Sequence, residues 1–173
     1  MEQIFEKLEK LKNKDNIFLL FVCSGNIIRS VMAEFLFKRF LQDYPNSIHR
    51  FKIKSGALLY RNSSIDTKTR QVLLKHNFPS ELIDSFKPTY LKNKENIHLL
   101  EEADLIIAME KSHLRVLPKI YRDKAILLTD LDPSISIPDP FDSELSIYFD
   151  HYDKINLLLI KFLEILKELR IVY

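Results

Sequence analysis

The chain of 173 residues contains one cysteine, two glycines and no tryptophan. A lone cysteine, Cys23, excludes an intrachain disulfide and a cysteine-rich zinc site, and it suits a reducing compartment. Charge of one sign is also missing: 26 basic against 24 acidic side chains leave a net +2, so no global field marks the chain for nucleic acid or an anionic membrane. No apolar run approaches the roughly 18 residues of a membrane span. The opening MEQIFEKLEK mixes acids and bases, unlike a signal peptide. A soluble, cytoplasmic protein without nucleic-acid or membrane partners is expected. His49, His76, His98, His113 and His151 show no metal-ligand spacing, so no metal is expected, and these histidines read as surface or structural, with His76 and His113 in helices. Glycine this scarce suggests that Gly25 and Gly56 are each used where a side chain would not serve.

What is present is hydrophobic patterning that alternates between two periods. The length suits one domain. Ile4, Phe5, Leu8 and Leu11 recur among charges at near-helical spacing, giving an amphipathic N-terminal helix over 2–13. Next, NIFLLFV at 16–22 is a short continuous apolar run, the pattern of a strand buried on both faces. It ends at Cys23. After CSGNIIR, the residues Met32, Phe35, Leu36 and Phe40 return to helical spacing, with Ser30 in a capping position. Strands follow at 50–54, 104–108 and 125–128, helices near 66–76 and 111–117, and a long packing helix at 143–169. Such alternation predicts an α/β fold, a parallel sheet with helices on both faces and a ligand site beyond the carboxyl ends of the strands. The expected organisation is a helical extension at 1–15 on a single domain at 16–173.

The segment CSGNIIRS joins the first strand to its helix, and each residue type in it has a chemical use. A loop wrapped at a helix N-terminus presents several backbone N–H groups together with the positive end of the helix dipole, a ready anion site. A phosphoryl dianion fits it. The same environment favours a thiolate, which makes Cys23 a nucleophile. Arg29 offers a planar fork to two phosphoryl oxygens and to the charge that spreads over them in the transition state. Gly25 and Asn26 are residue types that accept left-handed backbone angles, expected in so tight a loop. Ser30 can donate its hydroxyl to the sulfur. A leaving oxygen departs faster beside a positioned acid. LDPSISIPDPFD holds two candidates, Asp132 and Asp139, each followed by proline, and composition does not choose between them.

VCSGNIIRSVMAE resembles the signature V-C-x-G-N-x-x-R-S, followed by a helix with M-A-E, of the low-molecular-weight protein-tyrosine phosphatases. The resemblance runs on through KSGALLYRNSSIDTKTRQVLLKHNF, DLIIAMEKSHLRVL and IPDPFD, covering nearly all of 16–165 and leaving only the N-terminal helix outside. It implies a four-stranded parallel sheet flanked by helices and metal-independent hydrolysis of phosphotyrosine in proteins through a phosphocysteine intermediate, with no cofactor. It implies that Cys23 is the nucleophile and that Ser24, Gly25, Asn26, Ile27, Ile28, Arg29 and Ser30 enclose the phosphate or another oxyanion. The family's acid lies in a late D-P followed by an aromatic, which selects Asp139 and leaves Asp132 as a turn residue. Tyr60 and Phe141 match rim aromatics that hold the substrate ring, and Ser55 matches a serine that buttresses the loop asparagine.

The departures from the pattern bear on specificity. Ile27 stands where the related protein-arginine phosphatases carry threonine, and an apolar wall favours an aromatic ring over a guanidinium. The thioredoxin-coupled arsenate reductases, a third branch, need further cysteines that this chain lacks. Ile28 stands where several members carry a second cysteine that guards the first, so oxidation of Cys23 would proceed to sulfenic acid or beyond without that rescue. Val31 replaces a common proline, leaving the helix start less preorganised. Ser24 replaces a frequent leucine or threonine on the pocket wall. The alternatives are a phosphatase for phosphoarginine or a small ester, or a phosphate-binding module without turnover, which would need neither the thiol nor a distant acid.

Overall fold

The computed structural model describes residues 2–173. In chain order the elements are α1 (Glu2–Glu9), β1 (Ile17–Cys23), α2 (Arg29–Leu41), α3 (Pro45–Ile48), β2 (Phe51–Ala57), α4 (Thr67–Lys75), α5 (Ser80–Ser85), α6 (His98–Glu102), β3 (Leu105–Ala108), α7 (Lys111–Val116), β4 (Ala125–Leu127) and α8 (Leu145–Glu168), with 3₁₀ turns at Lys119–Lys124 and Leu128–Leu131. The four strands form one parallel sheet in the order β2-β1-β3-β4. None of the described helices is long and apolar enough to cross a membrane.

The unbroken apolar run of β1 follows from its central place, because both of its faces are covered. Ile17, Leu19, Phe21 and Cys23 point into one core layer with α1, α2, α4 and α8, while Phe18, Leu20 and Val22 point into the other with α6 and the α7 region. From β1 the chain moves to β2 on one side, then crosses back to β3 on the other. That reversal opens a crevice at the carboxyl end of β1, where open α/β sheets bind ligands. Cys23 sits there.

Local chemistry sets most boundaries. Asp66 caps α4, its Oδ1 accepting from the amides of Lys68 (2.8 Å) and Thr69 (3.2 Å). His76 therefore lies just past the helix predicted to contain it. The end of α8 is a Schellman turn: Arg170 takes a left-handed φ of 56°, the Ile171 amide donates to Leu166 O and the Arg170 amide to Lys167 O. At α2 the reading differs from the sequence expectation. Ile28, not Ser30, occupies the N-cap position, and no side chain caps the helix, because the Ser30 hydroxyl is directed to Cys23. The first helix stops at Glu9, short of the predicted 13, and β2 extends three residues beyond the predicted 54. Gly56 is needed for close approach, since a Cβ there would lie 2.6 Å from the Leu91 side chain.

The N-terminal segment is packed. Ile4, Leu8 and Leu11 are buried in the same core as α8, and Lys7 Nζ donates to Ala125 O (2.7 Å). Arg50 binds the carbonyls of Lys12, Lys14 and Ile171, tying the N-terminal segment to the C-terminal tail. Leu8→Ala, at a fully buried position, should cost about 2–5 kcal/mol, read as a lower urea midpoint with an unchanged m-value. A loss below about 0.5 kcal/mol, the size of an ordinary surface substitution, would show that the helix is an appendage.

Candidate active site

The loop between β1 and α2 is built by turning its carbonyls outward. Cys23 O accepts from Leu58 N (2.9 Å), Ser24 O from both Leu59 N and Tyr60 N (3.0 Å each), Gly25 O from Asn62 Nδ2 (2.8 Å), Ile27 O from Asp66 N (3.3 Å) and Ile28 O from Met32 N (2.9 Å). In a trans peptide the carbonyl and the next amide point in opposite directions. The amides of Ser24, Gly25, Asn26, Ile28 and Arg29 are therefore turned away from those partners, and the Asn26 amide meets Cys23 Sγ at 3.3 Å. These donors and the start of α2 surround one point with positive potential.

Asn26 holds this shape. It is buried, takes a left-handed φ of 52°, and its side chain is fully engaged. The Thr89 amide donates to Oδ1 (2.8 Å), which fixes the orientation of the amide group, so Nδ2 donates to both Ser30 Oγ (3.0 Å) and Ser55 Oγ (2.7 Å). The Ser55 hydroxyl donates to Glu34 Oε2 (2.6 Å), and Lys38 closes the chain by donating to Glu34 Oε1 (2.5 Å). Accepting from Asn26 leaves the Ser30 hydroxyl hydrogen free, and Cys23 Sγ, 3.0 Å away, can take it when the sulfur is a thiolate. The sulfur thus receives two donors, an arrangement suited to a thiolate. Gly25 does not adopt the left-handed angle expected of it. Its constraint is space, because a Cβ would stand 3.0 Å from Asn62 Nδ2.

Arg29 is 1% exposed at the start of α2. Its Nη1 donates to Glu110 Oε2 (2.8 Å) and Ile137 O (3.2 Å), and its Nη2 pairs with Asp139 Oδ2 (3.0 Å). Burial raises the Glu110 carboxyl, but hydrogen bonds from Arg29 and Ser112 outweigh it and hold the group below its ordinary value. Behind the loop, His113 Nε2 lies 3.0 Å from Ser24 Oγ. Burial, helped by the nearby Arg29 charge, pushes this imidazole down to about 4, so it is neutral at pH 7.

Cys23, Ser24, Gly25, Ile27, Ile28, Arg29, Tyr60, Asp139 and Phe141 line one cleft of about 550 Å³, joined by Arg61 and Asn62. That is the size of a small-molecule site. Tyr60 and Phe141 stand 63% and 62% exposed at its mouth, whereas Asn26, Ser30 and Ser55 lie buried beneath the loop. Asp132 is elsewhere. Its Oδ1 accepts from the amide and hydroxyl of Ser134 and its Oδ2 from Lys161 (2.5 Å), and these bonds, Lys161 first, hold its carboxyl down at about 2. A carboxylate so fixed is a poor proton donor. Residues the sequence reading missed are Arg61, Asn62, Glu34, Thr89, Glu110 and the His113 contact. Glu34 stands in the M-A-E of the helix after the loop, where its role as a support is not evident from the motif, and the others reach the site from distant segments.

A doubly wound α/β protein whose switch-point loop presents a thiol and a guanidinium to one cleft, with a carboxylate brought in from the segment before α8, is built to handle a phosphoryl group. The family model for the low molecular weight phosphotyrosine protein phosphatases matches residues 18–170, and the chain belongs to that family. It is 32% identical over 126 residues to the low molecular weight protein-tyrosine-phosphatase Wzb of Salmonella typhi, covering 71% of this chain and 76% of that protein. It is 25% identical over 146 residues to the protein-arginine-phosphatase of Bacillus subtilis, covering 82% and 91%. The crystal structure of the tyrosine phosphatase Wzb from Escherichia coli K30 in complex with sulphate superposes with a TM-score of 0.70 at 25% identity, covering 85% of this chain and 96% of that one. The protein is a phosphatase.

His113 gives the site a pH signature in stability. Its folded value lies below the unfolded 6.5, so between these the unfolded chain takes up a proton that the folded chain refuses. Stability from this group is full above about pH 6.5, falls as the pH drops toward 4, and is lost below that. The loss is on the order of 3 kcal/mol. Urea unfolding across that window should show a flatter pH slope for His113→Gln than for wild type, and parallel slopes would refute the assignment.

Proposed function

We propose that this phosphatase hydrolyses phosphotyrosine in proteins, and aryl phosphates generally, through a phosphocysteine intermediate. The observation that carries the reading is the convergence of Cys23, Arg29 and Asp139 on one cleft. The Cys23 thiolate attacks phosphorus, forming the S–P bond as the P–O bond to the tyrosine breaks, while Asp139 delivers its proton to the departing phenolate oxygen. Arg29 releases Asp139, turns its fork to the phosphoryl oxygens and, with the loop amides, holds the equatorial charge. Water, deprotonated by Asp139, then attacks phosphorus. The S–P bond breaks to release phosphate, and the Ser30 hydroxyl steadies the returning thiolate.

The apolar Ile27 wall and the exposed rings of Tyr60 and Phe141 support an aromatic substrate. A phosphoarginine substrate is the second reading, favoured by the likeness to the Bacillus subtilis enzyme. Ser55 supports the loop through Asn26. The single thiol suits a reducing cytoplasm, and the match at 18–170 supports residues 1–15 as an extension of one domain at 16–173.

A pH–rate profile of aryl phosphate hydrolysis, without metal and with a thiol reductant, tests the roles. Cys23→Ser should abolish turnover. Asp139→Asn should lower the rate by about 10²–10⁴-fold and remove the basic limb. Asp132→Asn should keep the wild-type profile. Parallel assays on phosphotyrosine, phosphoarginine and a small aliphatic ester should favour phosphotyrosine; an active Cys23→Ser, or faster cleavage of phosphoarginine, would overturn the reading.

A further inference from the structure

His151 is buried on α8, outside the cleft, and the proposed chemistry makes no use of it. Its ring is nonetheless engaged at both nitrogens: Nδ1 lies 2.9 Å from Ile147 O, one turn back along the helix, and Nε2 lies 2.8 Å from Pro138 O. Carbonyl oxygens only accept, so an imidazolium donates to both, and a neutral ring donates to Pro138 from Nε2 or to Ile147 from Nδ1 according to its tautomer. The nearest carboxylate is Asp150, 3.7 Å from Nδ1 and itself paired with Lys154 at 2.8 Å.

Pro138 immediately precedes Asp139; around them the Ile137 side chain is buried in the core, the Phe141 amide donates to Asp139 Oδ1 (3.3 Å) and the Ser143 amide to Pro140 O (2.9 Å), but of the carbonyls at 137 and 138 only that of Pro138 is held independently of Arg29. Pro138 and Pro140 have no amide to donate. The Ile137 carbonyl and the Asp139 carboxylate are both held by Arg29. When Arg29 turns its fork to a phosphoryl group, these bonds weaken at the moment when Asp139 must be aimed at the leaving oxygen. The bond from His151 does not depend on Arg29, because it comes from the long core helix.

We infer that His151 is a positioning residue: from α8 its Nε2–H grips the Pro138 carbonyl and keeps Asp139 over the leaving group while Arg29 is engaged by phosphate. The inference rests on the assignment of Asp139 as general acid. An acid out of place is missed most by poor leaving groups, which need the proton, and least by good ones, which leave as stable anions. A residue that merely stabilised the fold would lower all substrates alike.

The test is the dependence of kcat/KM on leaving-group pKa across a series of substituted phenyl phosphates, for wild type, His151→Leu, His151→Gln and Asp139→Asn. Inhibition by inorganic phosphate serves as the check that the loop is folded. Expected for His151→Leu is a loss of about tenfold or more with phenyl phosphate and under about threefold with 4-nitrophenyl phosphate, a fraction of the 10²–10⁴ that the acid itself supplies, with phosphate inhibition unchanged. His151→Gln, which keeps an N–H donor, should recover most of the loss. A uniform drop across the series in His151→Leu, beside a steep dependence in Asp139→Asn, would overturn the inference and leave the acid assignment standing. If His151→Leu does not fold, an equally steep dependence in His151→Gln and Asp139→Asn overturns it. A dependence in Asp139→Asn no steeper than wild type would overturn the acid assignment and the inference with it.

Discussion

The site depends on one constraint: a run of backbone must be held with its amides inward and its carbonyls satisfied elsewhere. An unpaired buried carbonyl costs about as much as a lost hydrogen bond, so an anion loop exists only where the surrounding fold supplies outside donors. Here the segment after β2 supplies most of them, through the amides of Leu58, Leu59 and Tyr60 and the side chain of Asn62. The parallel pairing of β1 with β2 brings that segment alongside, with Cys23 opposite Ala57 at the end of the ladder. Sheet register therefore positions the chemistry. A slip of one residue would turn Cys23 to the other face of the sheet.

The same logic explains what was legible in the sequence. The fold could be read because its signals are local and periodic: an apolar run for β1, helical spacing for α2 and α8, and a strand-to-helix junction at CSGNIIRS. The short helices α3, α5 and α6 left no comparable trace, being four to six residues long and lying in polar connections. In the site, the residues contiguous with the cysteine were visible and their supports were not. Glu34 stands in the M-A-E of the helix after the loop, but nothing in the motif shows that it ends a buried chain of hydrogen bonds that begins at the sulfur. Glu110 and Thr89 likewise acquire meaning only once β3 and the segment before α6 are placed beside the loop. Gly25 shows the limit in the other direction, since its type suggested backbone freedom where the structure asks for room beside Asn62.

Directionality runs through the polar chain below the loop. Each group has a fixed number of donors and acceptors, so the Thr89 amide settles the Asn26 orientation, and that leaves the Ser30 hydrogen free for the sulfur. Asn26 is thus more than a residue tolerant of a left-handed angle. Half-satisfied, such a buried network would cost more than an apolar core; complete, it specifies a single loop conformation. Lys38 at its far end supplies the compensating charge for Glu34, which is itself nearly withdrawn from water.

Arg29 poses the complementary problem. A guanidinium buried this deeply cannot be left without an opposite charge, because breaking a buried pair by removing one partner costs about 3–5 kcal/mol. Before substrate arrives, Glu110 and Asp139 meet that need from two sides. A phosphoryl dianion brings its own charge to the fork, so it can take over a carboxylate's place while the charge around Arg29 stays balanced. Only one of the two carboxylates is then required to let go. Glu110, tied also to Ser112, can stay with Nη1, whereas the Asp139 carboxyl lies at the open rim beside Phe141. With Asp139 as the proposed acid, the arrangement would couple filling of the loop to release of that acid, so the group needed for the leaving oxygen would come free when there is a leaving oxygen to protonate.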